Sequence, residues 1–139
     1  MFGKCRSKPT PPPSTKVMLS PQRADFEVVF KSRVGRNSMI NKASAGDEHV
    51  DLIQRLRFCA AADEYADTLS NKEKRQKARK IVCMFIQNGS IFQLTDMPTE
   101  MMNGLLNEKF EYIGLLREHF AELLSMDPFV ISAVSQTSV

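Results

Sequence analysis

Few side chains in this sequence belong to the types that form catalytic or metal sites, and those few are widely spaced. Its two histidines, His49 and His119, fall on separate predicted helices, and the three cysteines include no C-x-x-C pair. A metal site needs three or four convergent ligands, and no H-E-x-x-H or Cys/His cluster is present. A Cys-His nucleophile pair stays open, although Cys59 and Cys83 lie within apolar helical faces, where a thiol is buried and unreactive. We expect no metal, no cofactor and no enzymatic activity.

Three pairs of acidic residues are the remaining candidates for general acid and base chemistry. They are Asp47 with Glu48, Asp63 with Glu64, and Glu108 with Glu111. Each pair lies on the flank of a predicted helix, where a solvated face is the ordinary explanation. The six glycines are scattered singly, so there is no glycine-rich phosphate loop.

A basic run, KEKRQKARK at residues 72–80, contains six basic residues and one acidic residue. It is compatible with an acidic partner, with a membrane surface, or with an ordinary solvated helix start. Its position near a helix N-terminus opposes the helix dipole, which favours a partner. No aromatic residue interleaves the run for base stacking, so we expect no nucleic-acid binding.

Charge and proline divide the chain near residue 24. Five of the seven prolines lie before that point, together with five basic residues and no acidic one. Because the whole chain carries +3, the remainder carries −2, and the basic pI of about 8.8 belongs to the tail. Residues 1–23 contain too few large apolar side chains to offset the entropy of ordering them, so we expect a disordered tail. Cys5 among basic residues is a possible lipidation site that would hold the chain at an anionic membrane; the alternative is a free cysteine.

The elements that must supply the core are helical. Apolar residues recur at helical spacing over residues 77–129, in stripes around Ile81, Leu105 and Phe120. Asn88-Gly89 ends the first stripe, Pro98 opens the second, and Asp127-Pro128 predicts a capped last helix. Ser90–Thr95 resembles a strand but has no second run to pair with, which predicts an ordered loop.

The preceding segment supplies the other walls of the bundle. Phe26, Val29 and Phe30 predict a short helix over Ala24–Arg33 that Gly35 ends, and residues 37–46 are expected to form a loop or a single helical turn. A central helix follows over Asp47–Asp67, and the Ser70-x-x-Glu73 capping box opens the next helix, Lys74–Gln87. The sequence therefore predicts an all-α bundle of six to nine helices over residues 24–134, with a frayed end at 135–139. Unpaired cysteines and the absence of a signal peptide or apolar span predict a cytoplasmic protein, with peripheral plasma-membrane attachment through the tail as an option.

The order of these motifs resembles the regulator of G-protein signalling (RGS) domain, a helical bundle of this size. The resemblance rests on Phe26 with Gly35, on residues 57–65 (RFCAAADEY), on residues 77–86 (KARKIVCMFI) and on residues 123–129 (LLSMDPF). These segments are similar to the family's Phe-Trp-x-x-x-Glu-Glu-Tyr helix, its Lys-Ala-x-x-Ile-Tyr-x-x-Phe-Ile helix and its Leu-Met-x-x-Asp-x-Tyr/Phe segment. The resemblance covers residues 24–134, and it is the order and separation of the motifs that carry it.

The resemblance implies a partner, a Gα subunit, whose GTP hydrolysis the family accelerates by clamping the switch loops without donating a catalytic group. It implies contact residues in three inter-helix loops: Ile53, Gln54 and Arg55; Leu94, Thr95 and Asp96; and Leu123, Asp127 and Ile131. Asp96 and Asp127 keep the family's acidic residues. Arg55 and Leu94 stand where active members have asparagines, and a leucine cannot orient the attacking water by hydrogen bonding. The alternative function is an RGS-like scaffold or interaction module that binds a partner without accelerating hydrolysis.

Overall fold

The computed structural model describes residues 20–46 and 49–137, which form seven α-helices and one π-helix with no strand among them. The helices are α1 (Pro21–Lys31), α2 (Arg33–Ser44), α3 (Val50–Asp67), α4 (Asn71–Ile81), α5 (Thr99–Leu106), α6 (Tyr112–Ser125) and α7 (Pro128–Thr137), with the π-helix Val82–Ile86 directly after α4. The all-α class is therefore confirmed for this part of the chain. Cys5, the Asp47-Glu48 pair and the tail up to residue 19 lie outside the described residues.

Helix α1 begins at Pro21, three residues before the expected start of the helical domain. The Ser20 hydroxyl accepts a hydrogen bond from the Arg23 amide at 3.1 Å, and Pro21 occupies the first turn, where its missing N–H costs nothing. Phe26, Val29 and Phe30 are buried, as their spacing predicts. At the other end of the chain, α7 continues to Thr137, three residues beyond the expected limit at 134.

Helix α2 corrects two expectations. Gly35 does not end the first helix; the chain turns at Ser32, whose hydroxyl accepts the Gly35 amide at 3.2 Å and so caps α2. The predicted loop over residues 37–46 is also wrong, because the helix continues to Ser44. Met39 and Ala43, one turn apart, are fully buried, and this packing outweighs the weak helix propensity of the surrounding asparagine and serine residues.

Gly35 is required by the close approach of α2 to the end of α1. A Cβ at this position would lie 2.5 Å from the Val29 carbonyl oxygen and 2.9 Å from Val29 Cγ1. We expect Gly35→Ala to destabilise the protein by roughly 1–3 kcal/mol through overpacking, measured by urea unfolding. Gly114→Ala is the matched control: Gly114 is an exposed glycine of α6 with open space around its Cβ position. Gly114→Ala should gain up to about 1 kcal/mol of stability, because alanine has the higher helix propensity. A similar gain of stability in Gly35→Ala would contradict the steric explanation.

Helix α3 is the central element and packs against α2, α4 and α6. Its buried side chains are Leu52, Leu56, Phe58, Cys59 and Ala62. The Phe58 ring meets Phe85 and Phe120 edge to face, with centroid separations of 5.6 and 5.9 Å. These contacts join α3, the π-helix and α6 into one aromatic core.

The π-helix explains why the strand-like run at Ser90–Thr95 is ordered. The Gln87 amide reaches back five residues to the Val82 carbonyl at 3.0 Å, and Gly89 then turns the chain with φ +79°. Two carbonyls in this segment accept hydrogen bonds from the following loop: Met84 from the Phe92 amide and Phe85 from the Leu94 amide, both at 2.9 Å. The run is thus an ordered loop, as expected, and it is held by the helix instead of by a neighbouring strand.

The predicted capping box is confirmed in its serine half. The Ser70 hydroxyl accepts the Glu73 amide at 3.4 Å, and α4 starts at Asn71, three residues earlier than expected. Helix α6 buries Ile113, Leu116, Phe120 and Leu124 along the predicted stripe. It packs against α1, α3, α5 and α7, and so forms the second central element beside α3.

Candidate functional site

The first group of candidate residues lies in the second turn of α3. Gln54 and Arg55 are both half-buried there. The Arg55 guanidinium lies over the Phe120 ring of α6, 5.4 Å from its centroid. Its Nη2 also donates to Asp96 Oδ2 at 3.3 Å, so this side chain links α3 to α6 and to the loop at residues 87–98.

The second group lies in that loop and divides in two. Thr95 and Asp96 are exposed, and Asp96 adopts the left-handed conformation, with φ +58°, which aspartate tolerates better than most residues. Leu94 is different, because its side chain is 4% exposed and packs in the core while its amide donates to Phe85. Leu94 therefore anchors the loop, and its side chain is not on the surface that a partner would touch.

The third group lies where α6 meets α7. Asp127 caps α7: its Oδ1 accepts the Phe129 amide at 2.8 Å, and its carbonyl accepts the Ile131 amide at 2.9 Å. Ile131 is 40% exposed and Leu123 is half-buried. The His49 ring, just before α3, lies 4.4 Å from the Phe129 ring, so the starts of α3 and α7 are neighbours.

The structure brings the first two groups into contact, and it places the start of α7, the helix that follows Asp127, beside the start of α3. Arg55 contacts Asp96 and Phe120, and His49 contacts Phe129. We use the name contact face for seven candidate residues, of which Arg55 and Asp96 are in direct contact: Gln54, Arg55, Thr95, Asp96, Leu123, Asp127 and Ile131. It presents carboxylates, an arginine and apolar side chains on backbone held by the core, which suits binding to another protein.

A partly buried ionic cluster was not recognised in the sequence. Arg117 forms two hydrogen bonds to the Asp63 carboxylate, at 2.9 and 3.1 Å, and two to the Glu27 carboxylate, at 2.6 and 3.0 Å. Arg23 bonds to Glu27, Glu118 and Glu122 at 2.6 to 2.9 Å. The cluster therefore ties together α1, α3 and α6.

Burial and charge act in opposite directions on this cluster. Burial alone would lower the pKa of Arg117, but hydrogen bonds to Glu27 and Asp63 outweigh it, and the pKa is raised. Burial alone would raise the pKa of Glu27, but hydrogen bonds from Arg117 and Arg23 leave it below the ordinary value. Arg117 is therefore a cation, and Glu27 is ionised at neutral pH.

The structure changes the interpretation of several residues with chemical potential. Asp63 is not on a solvated flank, since Arg117 occupies both its oxygens. Cys59 is buried as expected, and burial raises the pKa of its thiol to about 12, which makes it a poor nucleophile. Cys83 is exposed, contrary to the expectation of burial, because the π-helix places Val82, Phe85 and Ile86 inward.

Three further candidates, Glu64, Glu108 and His119, have structural partners. Glu64 pairs with Lys77 at 3.7 Å, and Glu108 lies 3.4 Å from Arg75 and 3.6 Å from Arg79. The His119 ring packs 5.2 Å from the neighbouring Phe120 ring. In the part of the chain that the structure describes, no group of three His, Cys, Asp or Glu side chains could hold a metal ion.

None of the helices in residues 20–46 and 49–137 is long and apolar enough to span a bilayer. A comparison with protein-family models finds no match for this chain. A comparison with curated proteins finds no significant match either.

Proposed function

We propose that this chain is a diverged member of the RGS family that binds a Gα subunit through the contact face and regulates its GTP hydrolysis. The observation that carries the proposal is the position of Arg55, which bonds to Asp96 and stacks on Phe120. Arg55 and Asp96, which are 41 residues apart in the sequence, thereby meet, and this contact between the first two loops is what the resemblance leads us to expect. The motif order within an all-helical chain gives further support.

The mechanism under this proposal is preorganisation. The contact face holds its loops by hydrogen bonds to the π-helix and by the Asp127 cap, so they are ordered before a partner arrives. A rigid face that fits the switch loops in their transition-state geometry lowers the barrier to hydrolysis without adding a reactive group. Gα itself would supply the water-orienting glutamine and the magnesium-bound nucleotide.

A second candidate function, an RGS-like interaction module without activating ability, is favoured by the position of Leu94. Its isobutyl side chain has no hydrogen-bonding atom and is buried, where active members present an asparagine amide. At the other asparagine position, the Arg55 guanidinium already bonds to Asp96. Binding to Gα and acceleration of hydrolysis are therefore separate questions.

Two measurements separate these functions. Single-turnover GTP hydrolysis by a panel of Gα subunits, with and without the full chain, reports activation. A pulldown against the GDP–aluminium-fluoride form, compared with the GDP form, reports transition-state binding. Faster hydrolysis with preferential capture supports the regulator, capture without acceleration supports the interaction module, and the absence of both rejects the proposed family function.

The proposal includes a cytoplasmic location, with the basic tail contacting the anionic inner surface of the plasma membrane. Cys5 beside Lys4 and Arg6 would add a lipid chain to the electrostatic attraction. Two weak signals of this kind hold a protein at a membrane where one does not.

Two substitutions at Asp127 distinguish its role as a helix cap from its proposed role as a partner contact. Asp127→Asn keeps a good capping oxygen and removes the charge, so we expect stability within about 0.5 kcal/mol of wild type but Gα binding weakened roughly tenfold. Asp127→Ala loses the cap as well, at about 0.5–2 kcal/mol. Thermal unfolding and titration with Gα measure the two effects. Asp67→Asn, an exposed carboxylate at the far end of α3, is the control. Unchanged binding by the Asn variant would leave Asp127 as a cap alone.

A further inference from the structure

A groove of about 890 Å³ lies between α2, α3 and α4. Partly exposed apolar side chains on its floor are Ile40, Ala60, Ala61, Met84 and Phe92. No member of the contact face lines it, so it is a separate surface. Its volume is at the upper end of the range for small-molecule pockets, which leaves room for several side chains of a bound peptide.

Cations without acidic partners border this apolar floor. They are Arg33 and Arg36 from α2, Arg57 from α3 and Lys80 from α4. Among the described residues, no carboxylate forms an ion pair with any of these four. Two of them are held by aromatic rings: Arg57 lies 4.9 Å from the Phe92 centroid and Arg36 lies 5.7 Å from that of Phe30.

The carboxylates at the groove leave its positive charge largely uncompensated. The Asp63 carboxylate accepts two hydrogen bonds from Arg117, and Glu64 forms an ion pair with Lys77, a fifth cation of the lining. Among the described residues, Asp67 is then the one lining carboxylate without an ion pair, against four lining cations that also have none. An apolar floor with a cationic rim is complementary to a ligand that carries apolar and acidic side chains together.

We propose that this groove binds an acidic segment of a partner protein, with large apolar side chains on the floor and carboxylates at Arg33, Arg36, Arg57 and Lys80. The concave shape favours a peptide over a bilayer, because a flat membrane surface cannot reach a floor between helices. The chain's own residues 1–19 do not fit, since they carry four basic residues and no acidic one. Peptide binding in this groove is independent of the proposed Gα binding, which involves the contact face.

The test is a selection of random 16-residue peptides displayed on phage against the full chain. Enriched sequences should combine Asp or Glu with Leu, Ile, Phe or Met. Synthetic copies should bind in fluorescence anisotropy, with affinity that falls as salt rises. The double variant Arg33→Glu/Lys80→Glu should weaken binding at least about tenfold, because two attractions become repulsions.

The control variant Lys31→Glu/Lys72→Glu makes the same charge change at exposed positions outside the groove, and it should keep binding within about threefold. Met84→Gln, which keeps side-chain length and removes apolar surface from the floor, should also weaken binding. Circular dichroism on all variants checks that each is folded.

Two results would overturn the proposal. One is a selection that enriches no acidic sequence, or that enriches sequences whose affinity for Arg33→Glu/Lys80→Glu equals that for Lys31→Glu/Lys72→Glu. The other is a selection that yields no peptide, together with binding to phosphatidylserine vesicles in a sedimentation assay that Arg33→Glu/Lys80→Glu abolishes and Lys31→Glu/Lys72→Glu leaves unchanged. That outcome would make the groove a lipid-headgroup site.

Discussion

Replacing Arg117 with methionine is expected to cost about 3–5 kcal/mol of the free energy of unfolding. Methionine keeps the apolar stem but removes the guanidinium, which bonds to Glu27 and Asp63. The Arg117 side chain is 8% exposed and that of Glu27 is 13% exposed. The loss is large because the two carboxylates are left with less compensation in a poorly solvated site, and not because the ion pairs themselves add great stability.

Urea unfolding followed by circular dichroism measures this effect. Arg75→Met is the control, since Arg75 is 60% exposed and its contact with Glu108 is 3.4 Å long; it should change stability by less than about 1 kcal/mol. The free energy of unfolding of Arg117→Lys should lie between those of wild type and Arg117→Met. An ammonium keeps the charge but cannot bond to both oxygens of two carboxylates. If Arg117→Met lost as little stability as Arg75→Met, the result would show that water reaches the cluster and solvates the unpaired carboxylates.

The pH dependence gives a second signature of the same cluster. Hydrogen bonds from Arg117 hold the folded-state pKa of Glu27 below its ordinary value despite burial. Its ionisation therefore stabilises the protein above the unfolded pKa, and this contribution is lost as the pH falls through the folded pKa. In Arg117→Met the folded-state pKa of Glu27 is lowered less, so the stability difference from wild type should be full near pH 7 and narrow as the pH falls below about 4. A difference that does not vary with pH would assign the loss to packing.

Sequence periodicity was sufficient for the helices whose apolar face is long and regular. The α6 stripe and the α1 triplet of Phe26, Val29 and Phe30 are buried as predicted. Periodicity failed for α2, where Met39 and Ala43 are the only buried side chains within a run of turn-forming residues. Gly35 was predicted to end the first helix, because a helix end and a close contact between helices both favour glycine. Only the position of Val29 in three dimensions separates the two.

The ionic cluster illustrates a different limit. Arg23 and Glu27 have the i, i+4 spacing of a helical pair, which was the one local signal available. Arg117 meets Glu27 and Asp63 across 90 and 54 residues, and no pattern along the sequence indicates such a contact. The expectation of a disordered tail up to residue 23 also assigned Arg23 to the wrong environment, since its side chain is 5% exposed.

The contact face was accessible from the sequence only through the resemblance. Helical spacing alone does not show that Arg55 reaches Asp96 or that Phe129 meets His49. The burial of Leu94 depends on the π-helix, whose extra residue frees carbonyls for the loop, and π-helices have no simple sequence signature. Leu94 was therefore placed among contact residues when its position in the core makes it an anchor.

Truncating Phe58 to alanine is the second change with a large expected effect, about 3–5 kcal/mol of stability. The ring is fully buried and touches both Phe85 and Phe120 edge to face. Alanine would leave a cavity where α3, the π-helix and α6 meet. Phe85 accepts the Leu94 amide, and Phe120 supports Arg55, so the cavity lies beneath two anchors of the contact face.

Under the proposed function, we therefore expect Phe58→Ala to weaken Gα binding more than its loss of stability explains, when binding is measured at a temperature where the variant is fully folded. Phe58→Leu is the matched control: it fills most of the volume and loses the ring contacts, each worth about 0.5–1.5 kcal/mol. Hydrogen exchange should show faster exchange at the Leu94 amide in the alanine variant than in the leucine variant. Equal exchange and equal binding in the two variants would mean that the loop is held by its backbone bonds alone, and that Phe58 stabilises the fold without shaping the face.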